Sequence, residues 1–327
     1  MKIAYIINTY VNKYNGIRIQ AETWADELSR QGHDLVKVNP WERTDWETFD
    51  VVHVIGADRA INGLFFSLSK SCKKIVFSPI IDTIEPIWKY KFATHAGCKR
   101  LRLYSVNYAI RQSRPYIDRW FVRSHYEFMY VNKAYDIPAN KISIIPLSFR
   151  TPVCLDYPHK ESFCLHVSML TDERKNVKRL VEAAVKYKFN LVLAGSIRSE
   201  HDFAPIRDII NANNNITYLG RVSDDRLIEL YKKAKVFALP SINEGVGMVA
   251  VEAASFGCDI VITDIGGPKE YYVDMAYVVS PYEIDDIGHA VISAMQETKF
   301  QPKLQQHIQK EYNLPHCVRN LVAEYKK

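Results

Sequence analysis

The chain has 327 residues, 47% of them hydrophobic and 24% charged, with a formal net charge of +6 at neutral pH. That length suits two domains better than one, the apolar share suffices for sizeable cores, and no apolar run approaches the ~18 residues a transmembrane helix needs. Six cysteines lie scattered without a Cys-x-x-Cys pair or a Cys/His cluster, which argues against structural zinc and for a reducing cytosol.

The opening MKIAYIINTY reads as a buried strand over residues 2–7 rather than a signal peptide, because no long apolar region runs into a small-residue cleavage site. Gly16 closes a loop, and a helix follows to about Gln31, with Ile17, Ala21, Trp24, Ala25 and Leu28 at helical spacing. Strands are expected at Leu35–Val38, at Asp50–Ile55 with His53 inside it, and at Lys74–Ser78, where the loop SPIIDTIEP carries Asp82. Residues 88–123 interleave lysines and arginines with Trp88, Tyr90, Phe92, Tyr104, Tyr108 and Tyr116, and Asp118 is the only acid. Such a pattern suits an anionic membrane surface, and it equally suits a solvated helix whose aromatics pack on its own domain. No nucleic-acid fold signature accompanies it, so nucleic acid is not an expected partner. A strand at Trp120–Arg123, a helix near 125–134 and a proline- and charge-rich linker over 150–160 complete this half.

A strand at Phe163–Val167 opens the second half, and Lys175-Asn176 then starts a helix with Leu180, Ala183 and Ala184 inward. Arg174 and Lys175 put positive charge where a helix start disfavours it, which argues for an anionic partner. Strands at Leu191–Gly195 and Ile216–Leu219 flank a helix near 204–213. Gly220-Arg221-Val222 follows, and Asp224 is placed to cap the helix to Ala234. Residues 236–270, VFALPSINEGVGMVAVEAASFGCDIVITDIGGPKE, read as strand, loop, helix, strand, loop: a βαβ unit with parallel strands. Gly245 and Gly247 let a ligand lie against bare backbone, and the amides at the helix start suit phosphate or sugar oxygens. Glu244 and Glu252 can accept hydrogen bonds from sugar hydroxyls at two points along one ligand. A strand at Tyr277–Val279, a helix at 283–297 and two helices in 302–327 end the chain. Strands alternating with helices twice over make an α/β chain with two parallel sheets.

Pro240-Ser241, Glu244-Gly245-x-Gly247, Glu252-Ala253, Gly257 and Gly266-Gly267-x-x-Glu270 together resemble the donor-site signature of retaining glycosyltransferases of family 4, the glycosyl transferases group 1, of bacterial surface-polysaccharide type. The resemblance covers nearly the whole chain, weakly in the first half and strongly across 163–270. It implies the GT-B fold: two Rossmann-like parallel-sheet domains facing a cleft, the acceptor-side domain over 1–152 and the nucleotide-sugar domain over 153–300. Helices over 301–327 would follow, the last crossing back to the first domain. It implies transfer of a sugar from a UDP- or GDP-linked donor to a glycan acceptor, lipid-linked, with retention at the anomeric carbon and with neither metal nor cofactor. The place of action would be the cytoplasm, with peripheral attachment at the inner face of the plasma membrane through residues 88–123.

On this reading Glu244 and the backbone of Gly245, Val246 and Gly247 hold the donor sugar. Arg174 and Lys175 steady the diphosphate, and Glu252 takes the ribose hydroxyls. Arg221 and Val222 meet the base, Gly16 forms a turn near donor or acceptor, and Glu270 supports the loop or the sugar. His53 and Asp82 stand where relatives often carry a histidine and the aspartate of a His-Asp pair. The chain departs from the pattern at Ile81, where that histidine is usual, at Ser168-Met169 in place of Gly-Arg, and at Leu147-Ser148 in place of Asn-Gly. Those departures keep a second reading open, a non-catalytic GT-B partner that binds a nucleotide sugar or glycan.

Overall fold

The structure is a computed structural model that describes residues 1–8, 16–39, 41–98, 100–101 and 103–327. Residues 9–15 just before Gly16, and Lys99 and Arg102 of the basic stretch, lie outside the described residues. The chain divides into two compact units, Met1–Leu147 with Leu314–Lys327, and Ser148–Asn313. The partition falls at Leu147/Ser148, ahead of the 152/153 boundary read from the sequence, and residues 301–313 lie with the second unit.

The first unit runs β1 (Lys2–Ile7), α1 (Gly16–Arg30), β2 (Asp34–Lys37), β3 (Val51–Ile55), α2 (Ile61–Leu68), β4 (Ile75–Ser78), α3 (Ile87–His95), β5 (Gly97–Cys98), β6 (Leu103–Tyr104), α4 (Val106–Ser113), β7 (Arg119–Val122), α5 (His125–Ala134) and β8 (Ile142–Ile144). Its main sheet has the order β2-β1-β3-β4-β7-β8, with parallel pairing throughout the described residues. Strands β3 and β4 are buried on both faces, which is why they read as continuous β-branched and apolar runs rather than alternating ones. Side-chain alternation sorts them: Val52, Val54 and Phe77 join one core, while Val51, Ile55 and Val76 join the other.

The second unit runs β9 (Glu161–Val167), α6 (Val177–Tyr187), β10 (Leu191–Ala194), α7 (Glu200–Asn211), β11 (Ile216–Tyr218), α8 (Asp224–Lys233), β12 (Ala234–Leu239), α9 (Met248–Ser255), β13 (Asp259–Thr263), β14 (Tyr277–Val279), α10 (Ile284–Gln296) and α11 (Lys303–Glu311). Its sheet, also parallel, has the order β11-β10-β9-β12-β13-β14. The chain lays strands outward from β9 on one side and then returns to its other side at β12. The carboxyl ends of β9 and β12 therefore flank a topological switch point, where open α/β sheets bind ligands. Two helix starts differ from the sequence reading. Ser223, not Asp224, caps α8 by accepting from the Arg226 amide. Ser199 caps α7 by accepting from the Asp202 amide, several residues before the expected start, with Pro205 inside the helix.

The last helix, α12 (Leu314–Tyr325), packs beside α1 on the face of the first sheet that carries Tyr5 and Val76. A polar chain crosses that apolar contact. The Tyr325 hydroxyl lies 2.6 Å from His53 Nδ1 and 3.0 Å from the Tyr5 hydroxyl, and His53 Nε2 lies 2.8 Å from Ser78 Oγ. His53 is fully buried, and burial pushes its pKa down to about 3.

Candidate functional site

In the second unit, the loops after β9 and β12 meet at the switch point. A 3-10 turn, Glu173–Lys175, follows β9, and Lys175 Nζ reaches Glu244 Oε2 at 2.5 Å from the loop after β12. Ser241 Oγ donates more weakly to the same carboxylate oxygen, at 3.4 Å. Backbone contacts fix the two loops together, since the Ile242 amide donates to the Arg174 carbonyl at 2.8 Å. Asn176, buried and left-handed at φ 58°, donates its side-chain amide to the carbonyls of Pro240 and Pro281 at 2.9 and 2.6 Å. One side chain thus ties three loops, at the cost of a conformation that asparagine tolerates better than most residues.

Two helices point their amino ends from these loops. Asn176 is the N-cap of α6 and Gly247 that of α9, and neither end has a side-chain cap among the described residues. The opening amides of a helix have no intrahelical acceptor and carry the positive end of its dipole. Lys175 directly precedes one of these ends and pairs with Glu244, three residues before the other, so a cation and open amides of the kind that suit an anion lie on adjoining loops. Gly247 sits at φ 74°, where a larger residue would be strained, and a Cβ there would come within 2.8 Å of Leu239 Cδ2 and have to push that side chain aside.

The end of β9 is tied to its neighbours by hydrogen bonds. His166 is fully buried, with Nδ1 at 2.8 Å from the Ala238 carbonyl and Nε2 at 2.7 Å from Ser168 Oγ. A carbonyl can only accept, so Nδ1 carries the proton and Nε2 accepts from the serine hydroxyl. Burial chiefly, with the nearby charge of Lys175, pushes the His166 pKa down to about 4, so the imidazole is neutral. On the other flank the Tyr272 hydroxyl is buried without a hydrogen-bond partner among the described residues, and the charge of Glu244 adds to the burial that holds it protonated.

The other expected site residues fall as follows. Arg174 is largely exposed and folds back on Asp172, donating from Nε at 3.0 Å and Nη2 at 2.6 Å, which holds the Asp172 carboxyl below its usual range. Gly245 and Val246 lie in the loop just before Gly247. Glu252 is buried in α9 and faces Arg150 and Tyr231, with Arg150 Nε at 2.8 Å from one carboxylate oxygen and the Tyr231 hydroxyl at 3.4 Å from the other. Arg221 is exposed and Val222 half-buried after β11, two strands from β9. Glu270 lies in the 3-10 turn Pro268–Tyr272 after β13. Gly16, His53 and Asp82 belong to the first unit. Gly16 is the first residue of α1, His53 is enclosed in the core, and Asp82 accepts from Arg123 Nη2 at 2.6 Å.

Arg150 is the residue that sequence reasoning missed. It lies in the stretch read as a linker, where composition signals only a loop, and its partner is distant in sequence. The Asn176 staple was half visible, since asparagine just after Lys175 is a residue that tolerates left-handed backbone.

Two α/β units, each built on a parallel six-stranded sheet, are the architecture of the GT-B fold. Solved structures carry the same architecture over almost their whole length. Sucrose-phosphate synthase from Thermosynechococcus elongatus superposes with a TM-score of 0.77 at 14% identity, covering 100% of this chain and 98% of its own. The lipopolysaccharide outer core galactosyltransferase WaaB in its apo form gives 0.70 at 18% identity, covering 98% of each chain. At such identity the likeness speaks for the fold alone. Residues 155–311, most of the second unit, match the family described as glycosyl transferases group 1. This is the family whose signature the residues from Pro240 to Glu270 resemble. Among curated relatives, the O-antigen chain mannosyltransferase B of Escherichia coli is 27% identical over 146 residues, 42% of this chain. The match spans only 38% of that relative's length.

Proposed function

We propose that the protein is a retaining glycosyltransferase that moves a sugar from a UDP- or GDP-linked donor to a glycan acceptor carried on a lipid, in the building of bacterial surface polysaccharide at the cytoplasmic side of the membrane. The observation that carries the reading is the Lys175–Glu244 contact, set between two helix amino ends without side-chain caps. Fixed positive charge aimed at a leaving diphosphate is the largest catalytic contribution such a site can make. Lys175 and the amides opening α6 and α9 supply that charge, and Glu244 is placed to accept from a sugar hydroxyl beside them. The neutral His166 holds Ser168 without adding charge of its own. Glu252 takes the ribose hydroxyls in the place that Arg150 fills here, so donor binding displaces Arg150 from the carboxylate. The leaving phosphate accepts the acceptor proton on the departing face, so no protein nucleophile is required. The name of the E. coli relative makes a nucleotide-linked mannose the first donor to test.

The test is donor turnover by the whole chain, with nucleotide release followed across UDP- and GDP-sugars, alone and with lipid-linked saccharides. Slow donor hydrolysis that accelerates with a lipid-linked acceptor is the expected result. Lys175→Ala should mainly lower kcat, and Glu252→Ala should mainly raise the donor KM. Near-normal kinetics in both variants rejects the assignment. Donor binding without turnover on any acceptor favours the non-catalytic partner.

A further inference from the structure

Ser168 follows the last residue of β9 and opens the connection that leads to Lys175. It stands where the chain departs from the resembled pattern, with a hydroxyl in place of a bare glycine. Contacts with β10 and the loop after it fix its backbone. The Ser168 amide donates to the Ala194 carbonyl at 3.2 Å, and the Ser168 carbonyl oxygen fills the space where a side chain at Gly195 would begin. The residue is half-buried. Its hydroxyl turns to His166, two residues back, whose ring is fully buried and hydrogen-bonded through both nitrogens.

The Ala238 carbonyl can only accept, so His166 Nδ1 holds the imidazole proton and Nε2 is left as an acceptor. The single proton of the Ser168 hydroxyl is therefore spent on Nε2, at 2.7 Å. Burial lowers the His166 pKa to about 4, so at neutral pH no second proton reaches the ring to reverse that bond. What remains on Ser168 Oγ is lone pairs, and among the described residues no donor meets them. A deprotonated phosphate oxygen is an acceptor as well, so this hydroxyl has nothing to offer a diphosphate. A sugar hydroxyl carries a proton and suits it. The connection thus separates two kinds of ligand group: Lys175 at its far end donates, and Ser168 at its start accepts.

We propose that Ser168 is a specificity residue for the donor's sugar, its oxygen accepting a hydrogen bond from a hydroxyl of the transferred ring. This deepens the glycosyltransferase reading and rests on it. Glu244 accepts from the same ring, while Lys175 and the helix-opening amides take the phosphates. His166 is a positioning residue, because it decides which way the serine proton points.

The experiment is calorimetric titration of the full chain with GDP-mannose, UDP-glucose and UDP-N-acetylglucosamine, and with bare GDP and UDP as references. The ratio of dissociation constants for a nucleotide sugar and its nucleotide isolates what the sugar adds. Ser168→Ala deletes the acceptor and strands the buried His166 Nε2, so it should melt below the parent. Ser168→Cys keeps a donor for His166 but presents sulfur, a poor acceptor, and should melt close to the parent. Both variants should weaken the nucleotide sugar that the parent binds by about five- to tenfold, and leave the bare nucleotide within about twofold. A loss shared equally by the bare nucleotide, or no loss for either, overturns the role of Ser168 and leaves the donor site standing. A parent chain that binds none of these ligands overturns the donor reading itself, and this inference with it.

Discussion

Arg150 gives the sharpest test of the second unit. Its side chain is 39% exposed, whereas that of Glu252, whose carboxylate it holds at 2.8 Å, is 1% exposed. Arg150→Met keeps the stem and removes the charge, leaving Glu252 with only the 3.4 Å contact from Tyr231. Deleting one partner of a fully buried pair costs about 3–5 kcal/mol, because the other charge is left without compensation. The exposed side of Arg150 lets water reach the vacated position, so the expected cost is about 2 kcal/mol. Glu252→Gln removes the stranded charge at nearly constant shape. The double variant should therefore be more stable than Arg150→Met alone, with a coupling of about 1–2 kcal/mol. Urea unfolding of the four proteins, followed by circular dichroism, measures this directly. Additive effects, or an Arg150→Met variant as stable as the parent, would refute the pairing.

The remaining predictions concern backbone and protons. Gly195 has φ 141°, and a Cβ there would lie 1.8 Å from the Ser168 carbonyl oxygen, whereas Gly220, at φ 68°, has open space around that position. Gly195→Ala should exceed the ~3 kcal/mol of ordinary substitutions, and Gly220→Ala should cost about 1–2 kcal/mol for left-handed backbone alone; equal losses in thermal unfolding would show that the β9–β10 loops are not in contact. In the first unit, Tyr325→Phe strips a hydroxyl from a buried chain that includes His53 and Tyr5, so a loss of about 1–3 kcal/mol is expected. His53 has its folded pKa pushed down to about 3 and His166 to about 4, so the unfolded chain binds the extra protons. Each therefore stabilises its unit fully above the unfolded pKa near ~6.5, and that stability is lost as pH falls, at about 1.4 kcal/mol per pH unit per histidine. Denaturant midpoints taken between pH 7 and pH 4 should fall accordingly, and His53→Gln should flatten the slope for the first unit; an unchanged slope would show that His53 is not the group titrating.

Much of the fold was legible because its signals are local. Apart from His53, the runs Val51–Ile55, Ile75–Phe77 and Ile260–Ile262 are apolar throughout, and only a strand covered on both faces needs that. Glycines at 245 and 247 before a helical pattern marked the helix start at Met248. Helix caps were less legible, since Ser223 and Asp224 are equally good candidates and only the backbone angles choose between them. The spread of aromatics and bases over 88–123 was visible, but its division was not. Arg123 ends up holding Glu127 and Asp82, while Trp88 and Phe92 face outward, because facing depends on which side of α3 the core covers.

Residue type and spacing alone thus determined the alternation of strands and helices, the parallel sheets and the loop that bears Glu244, since each follows from the preferences of neighbouring residues. Which distant groups meet was decided only by tertiary structure. Lys175 finds Glu244, Arg150 finds Glu252 and His53 finds Tyr325 across separations of many tens of residues. The physical reason is that strand order, and the loops it brings together, is set by burying whole helix faces against the sheet, a balance summed over the unit and not written in any one segment.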